Sequence, residues 1–272
     1  MKRTLALLAL LFLAASIAAQ PQKSGGVGDL LVAPTRVVLS ERTRTAEIAL
    51  INTGSSTTTY RIGFRHMRMN ESGQLVEVDG PDGERFADPY LVYTPRQVTL
   101  EPRVAQTVRI RLRLPEGAEE GEYRTHLEFR GLPPADMSEA KPDDGEVAIR
   151  VVPIYAVSIP LLVRRGSTEA ELAIEDLAVR TEGEGMQATF HLRRSGNRST
   201  YGNVVARFVP NGGGEEQVVG AVNGISIYLP LAERRVTLPL RAPLRDGVLR
   251  VTYVDADGAA GTAPLEAHLV LP

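Results

Sequence analysis

Residues Val147–Val163 read VAIRVVPIYAVSIPLLV, and the alternation within this stretch decides the fold. Its odd positions, Val147, Ile149, Val151, Pro153, Tyr155, Val157, Ile159, Leu161 and Val163, are all apolar or ring-bearing, while the even set is mixed and includes Arg150 and Ser158. Successive side chains of a strand point to opposite faces, so this segregation predicts an extended strand with one face in apolar surroundings. Strands usually run about 5 or 6 residues, which makes this one long. Pro153 and Pro160 interrupt it. Proline donates nothing to a ladder, so the strand belongs at a sheet edge or carries a bulge. A long apolar edge is a template for pairing. Either this chain covers it, or it exists to pair with another.

The 272 residues suit two ordinary domains. At the N-terminus, Lys2 and Arg3 precede an apolar run from Leu5 to Ala15 and the small residues around Ala18 and Ala19. That pattern predicts a signal peptide over residues 1–19, whose apolar run is too short to span a bilayer. No later stretch is apolar for long enough to form a membrane helix, so a soluble exported protein is expected. The chain has no cysteine, which excludes disulfides and thiolate zinc sites and leaves stability to the core. Loss of Lys2 and Arg3 with the leader takes the formal net charge from −2 to about −4, too mild and of the wrong sign for a nucleic-acid partner.

The rest of the chain reads as strands parted by turn chemistry. Leu31–Leu39 is expected as one strand, followed by Ala46–Ile51, Tyr60–Met67, Gln97–Leu100, Val108–Leu114 and Tyr123–Leu132. Arg109, Arg111 and Arg113 alternate with aliphatic residues and are expected on a solvated outer face rather than at an anion site. The proline-rich acidic segment 133–146 predicts a mobile loop. Arg164-Arg165-Gly166-Ser167 reads as a linker. Beyond it come Ala170–Val179, Met186–Leu192, Val204–Val209, Gln217–Val222, Arg235–Leu240, Gly247–Val254 and Leu265–Leu271. The expected architecture is all-β, with one sandwich over residues 29–164 and a second over 166–272.

Enzyme motifs are absent from the sequence. The histidines His66, His126, His191 and His268 are scattered, without ligand spacing, and His126 with Glu128 is expected to be a surface pair on a strand. Asp255-Ala256-Asp257-Gly258 opens like a calcium loop but fails at the later ligand places in either frame, so it reads as a hairpin turn. No catalytic residue, cofactor or metal is expected.

The order of short motifs is more specific than any one of them. Pro34-Thr35-Arg36-Val37 is followed by Ala49-Leu50-Ile51-Asn52-Thr53-Gly54, Tyr93-Thr94-Pro95, Leu100-Glu101-Pro102 and Val108-Arg109-Ile110. Glu122–Phe129, a loop, and Tyr155-Ala156-Val157-Ser158-Ile159-Pro160-Leu161 come next. Arg193-Arg194-Ser195-Gly196-Asn197 and Tyr228-Leu229-Pro230 follow in the second half. This series resembles the PapD-like periplasmic chaperones of chaperone–usher pilus assembly, and within them the divergent, archaic-type members. The resemblance implies two immunoglobulin-like domains in a boomerang arrangement, a periplasmic location, and pilus subunits and an outer-membrane usher as partners. Neither nucleic acid nor a small-molecule substrate is implied. It further implies that Val147, Ile149, Val151, Pro153 and Tyr155 are lent as a strand to an incomplete subunit sandwich. Whether the free protein also self-associates through this edge, the sequence leaves open.

Arg36, an exposed strand arginine on its plain reading, stands where the family anchors a subunit's C-terminal carboxylate. Pro160 occupies the place of the family's second, lysine anchor, and Arg164 lies nearby but shifted. The competing reading is a structural or adhesive envelope sandwich that buries the long strand internally. The two readings differ at segment 133–146. Limited proteolysis of the free protein is expected to cut there first, with a bound client slowing that cut; a resistant segment would favour the static reading.

Overall fold

The structure, a computed structural model, describes residues 29–80, 84–133, 153–183, 185–241, 244–258 and 263–272. The expected leader at 1–19, the donor positions Val147, Ile149 and Val151, and most of the expected loop at 133–146 lie outside the described residues. No described helix is long and apolar enough to cross a membrane.

The chain forms two immunoglobulin-like β-sandwiches. The first contains β1 (Leu30–Ala33), β2 (Val37–Ser40), β3 (Thr45–Asn52), β4 (Thr58–Arg65), β7 (Leu91–Thr94), β8 (Gln97–Leu100), β9 (Ala105–Leu112), β10 (Gly121–Gly131) and β11 (Ala156–Arg165). A small hairpin of β5 (Met67–Met69) and β6 (Leu75–Glu77) projects from it. One sheet runs β1-β3-β9-β7 and the other β2-β11-β10-β4-β8. Ile48, Leu50, Val108 and Ile110 face Ile62, Leu127, Phe129, Ile159 and Leu161 between them, all buried. Alternation sets which side faces in. In β9 the aliphatic residues are buried, while Arg109 and Arg111 are exposed and Arg109 pairs with Glu47, which is the solvated stripe expected.

The second sandwich comprises β12 (Ala170–Glu182), β13 (Gly185–Gly196), β14 (Thr200–Pro210), β15 (Gln217–Ile227), β16 (Glu233–Leu240), β17 (Gly247–Asp255) and β18 (Leu265–Leu271). Its sheets run β12-β13-β16 and β15-β14-β17-β18 around Phe190, Leu192, Val204, Leu249, Val251 and Tyr253. The turn after β13 is fastened to the connection between the sandwiches. Asn197 donates to the Ser167 carbonyl at 3.1 Å and accepts from the Glu169 N–H at 2.8 Å. Gly196 turns there with φ of 93°, where a Cβ would collide with the Glu169 carbonyl.

Two expectations need correction. Leu31–Leu39 is not one strand: β1 pairs antiparallel with β3, and after Pro34–Arg36 β2 pairs parallel with β11 in the opposite sheet. A proline has no N–H to give to either ladder, and the chain changes sheets there. The long strand also differs at its described ends: Pro153–Tyr155 are not part of it, while Val147–Val152 lie outside the described residues. Among the described residues it begins at Ala156 and runs to Arg165, so Arg164 and Arg165 are strand rather than linker. Their backbone is held because Arg164 pairs with Glu122 of β10 and with Ser40 of β2.

Leu161 is fully buried at the start of this double pairing. Leu161→Ala should destabilise the protein by about 2–5 kcal/mol in urea unfolding. Val270→Ala, at a position 71% exposed, should change stability by less than about 0.5 kcal/mol.

Candidate binding edge and arginine cleft

β11 is paired unequally on its two sides. Along β10 the ladder runs from Arg165 to Ala156, and the Gly131 N–H donates to the Tyr155 carbonyl at 3.0 Å, extending it by one residue. Along β2 it covers only Leu161–Arg164. In an antiparallel pair, hydrogen-bonded and non-bonded residues alternate. With Tyr155 bonded to β10, the odd residues address β10, and Ala156, Ser158 and Pro160 turn their backbone groups to the other edge. Pro160 therefore withholds its missing N–H from the open side and leaves the β10 ladder intact. That explains how a proline sits inside a strand whose β10 side is paired throughout.

The odd face stays apolar as it leaves the core. Val163, Leu161 and Ile159 are buried, Val157 is half-buried, and Tyr155 and Pro153 are exposed. Tyr155 is 47% and Ile154 46% exposed, large apolar surface at the point where the paired strand ends. Of the donor positions inferred from the sequence, only Pro153 and Tyr155 lie among the described residues, and both stand at this open end.

The even face of β10 and β11 lies against the second sandwich. Leu162, fully buried, packs with Met69 and Tyr228 in a small cluster between the two cores. On the same face, Arg124 stacks over the Tyr228 ring with its guanidinium carbon 4.6 Å from the centroid. It also donates to the Met67 and Leu229 carbonyls at 2.8 and 3.4 Å. His126, fully buried beside it, meets the Tyr228 ring edge-on at 6.2 Å. The expectation of a surface His–Glu pair fails here: a strand's outer face is solvated only where nothing covers it, and the second sandwich covers this part. Burial, with the Arg124 charge adding to it, pushes His126 down to about 3.

Further along the same face, charge crosses the cleft. Arg164 pairs with Glu122 of its own sandwich at 2.9 Å and with Asp257, just past β17, at 2.7 Å. Glu122 also accepts the Ser199 N–H at 3.2 Å. Burial opposes the Arg164 charge, but Glu122 and Asp257 outweigh it and hold the guanidinium above its ordinary value. Arg36 grips Asp257 in a two-pronged pair, with Nη1 to Oδ1 at 3.0 Å and Nη2 to Oδ2 shorter. Its guanidinium lies 4.9 Å over the Tyr201 ring. The Arg36 and Asp257 side chains are each only 12% exposed.

Arg36 is thus no free strand arginine but part of a cleft, and the structure adds Arg164 to it at a position the sequence left shifted. Asp257 was legible only as a turn residue. Its sequence signal, Asp-x-Asp-Gly, reports the turn, in which the Asp257 N–H bonds Asp255 Oδ1 at 3.1 Å, and is silent about what the outward carboxylate meets. Among the described residues no group of His, Cys, Asp or Glu could hold a metal ion.

No protein-family model matches the chain, and no curated protein matches it. Several solved structures are similar to it. A chain of the chaperone–tip adhesin complex of CFA/I fimbriae biogenesis is 12% identical, with 90% of this chain and 99% of that chain covered and a TM-score of 0.46. For the CupB2 chaperone of Pseudomonas aeruginosa the values are 12%, 89%, 100% and 0.44. For the CsuC–CsuE chaperone–tip subunit complex of the archaic chaperone–usher Csu pili of Acinetobacter baumannii they are 12%, 88%, 97% and 0.45. Pilus chaperones recur among the structures this chain resembles; the functional reading rests on the edge and the cleft.

A buried neutral histidine that ionises freely when unfolded makes folding pH-dependent. The unfolded state binds the proton near pH 6.5, and the folded state only near 3. The stability from keeping His126 neutral is therefore complete above about pH 6.5 and lost progressively as pH falls toward 3. Urea titrations from pH 7 to 4 should show His126→Leu losing stability less steeply than the wild type, by the slope of about one proton. Identical slopes would contradict the assignment.

Proposed function

We propose that this chain is an exported, periplasmic assembly chaperone that binds pilus-type subunits by lending them the strand around Val147–Val157 and delivers them to an outer-membrane usher. Residues 29–164 are its strand-lending domain and 166–272 its second domain, and the leader at 1–19 is removed on export. No catalytic step is involved. The observation that carries the reading is the half-open edge of β11, which β2 pairs only from Leu161 onward and which ends in exposed Ile154 and Tyr155. A β-sandwich lacking one strand offers the complement: unpaired backbone groups along its gap and an open apolar groove.

Main-chain hydrogen bonds from Ala156 and Ser158 would extend the ladder, while Tyr155, Pro153, Val151, Ile149 and Val147 would fill the groove at alternate positions. A client strand laid on this edge cannot pass Pro160, because β2 takes over at Leu161. Its end therefore comes beside Arg36, the residue preceding β2, whose guanidinium suits a terminal carboxylate.

Co-expression with a candidate subunit tests this. The double change Ile149→Asp and Val151→Asp places two carboxylates in the groove and should weaken subunit binding by about 100-fold or more, read as loss of co-purification. Tyr155→Asp should weaken it in the same direction. A complex that survives the double change would reject strand lending and favour the structural or adhesive envelope protein.

A further inference from the structure

We infer that Asp257 is a built-in occupant of the arginine cleft, and that a client's C-terminal carboxylate takes its place at Arg36. The inference rests on the strand-lending reading above and adds a competitor within the chain itself.

The first ground is stereochemical. The Arg36 guanidinium presents both Nη atoms to both oxygens of one carboxylate. That edge of the guanidinium holds one carboxylate at a time, and the remaining donor, Nε, is buried and out of reach of a second. A main-chain carboxylate has the same planar pair of oxygens as the Asp257 side chain, so the two are alternatives at Arg36, not additive ligands.

The second ground is position. Val37 pairs with Leu161 in parallel register, which sets Arg36 level with Pro160, where the open edge of β11 stops. A strand added along Ala156 and Ser158 and running parallel to β11 ends there with its C-terminus toward Arg36. The guanidinium rests on the Tyr201 ring and needs no new support to receive it.

The third ground is an asymmetry between the arginines. Arg164 is held by two carboxylates, Glu122 and Asp257, whereas Asp257 is the only carboxylate paired with Arg36 among the described residues. Asp257 can release Arg36 and keep Arg164, and Arg164 keeps Glu122 throughout. The exchange is then one carboxylate for another, with no charge left unpaired on Arg36. A strand without a terminal carboxylate cannot repay the loss of Asp257, because breaking the pair strands a largely buried guanidinium. Asp257 thus raises the requirement for a free chain end and couples client binding to the contact between the sandwiches.

The test uses the full mature chain and a synthetic strand peptide of alternating valine and threonine, made with a free C-terminal carboxylate or as the carboxamide. Wild-type protein should prefer the acid. Asp257→Asn, which keeps an acceptor for Arg164, should raise the acid-to-amide affinity ratio by about tenfold or more, the worth of one charge-assisted pair. Arg36→Ala should abolish the ratio. In wild-type protein, independent of any variant's folding, the acid peptide should shift the Asp257 carboxylate carbon resonance and the amide peptide should leave it in place. If both peptides bind but Asp257→Asn leaves their ratio unchanged, or neither moves the Asp257 resonance, the exchange is overturned and strand lending stands. If neither peptide binds any form of the protein, both are overturned.

Discussion

β11 is hydrogen-bonded to β10 over its whole described length and to β2 over its last residues only, and most of the molecule follows from that inequality. The double pairing at Leu161–Arg164 fixes the strand where its odd residues enter the first core and its even residues reach the second sandwich. The single pairing from Ala156 to Pro160 leaves backbone groups without a strand partner among the described residues. One strand thereby serves as the wall of a core, the floor of an interface and an unfinished edge. β2 sets the border between these roles, and it reaches β11 only because the chain changes sheets at Pro34–Arg36.

The interface between the sandwiches is small in apolar terms and rich in charge. Leu162, Met69 and Tyr228 supply the dry contact. Around them, Arg124 serves two carbonyls and an aromatic face, and Glu122, Arg164, Asp257 and Arg36 form a chain of alternating sign. Buried charges of this kind add little net stability over well-packed apolar groups, but breaking one link is costly because it leaves an unpaired ion. Such a network is suited to fixing a geometry and to changing it when a competing ion arrives. His126, neutral in this setting, keeps a further positive charge out of a region that already holds Arg124.

Period-two patterning made the strands of both halves legible, because burial on one face writes itself directly into alternate residues. Residues such as Val108, Ile110 and Leu112, or Phe190 and Leu192, declare their face without any knowledge of their neighbours. Arg109 and Arg111 could be placed outside by the same rule. The rule failed at Leu31–Leu39, where apolar residues resume after Pro34-Thr35-Arg36 in a different sheet, and at His126, where an outer face is covered by another sandwich. In both cases alternation gives the side a residue faces, but not what lies on that side.

The sequence by itself determined an all-β chain and singled out Val147–Val163 as a strand too apolar and too long for an ordinary edge. It did so through local rules: alternation, proline placement and turn chemistry. Only the tertiary structure decided that β2 ends the open edge at Pro160, that Arg164 joins Arg36, and that the turn residue Asp257 fills the space between them. Those facts join residues separated by up to 221 positions. A contact across that distance depends on where two sandwiches meet, and no local pattern carries that information.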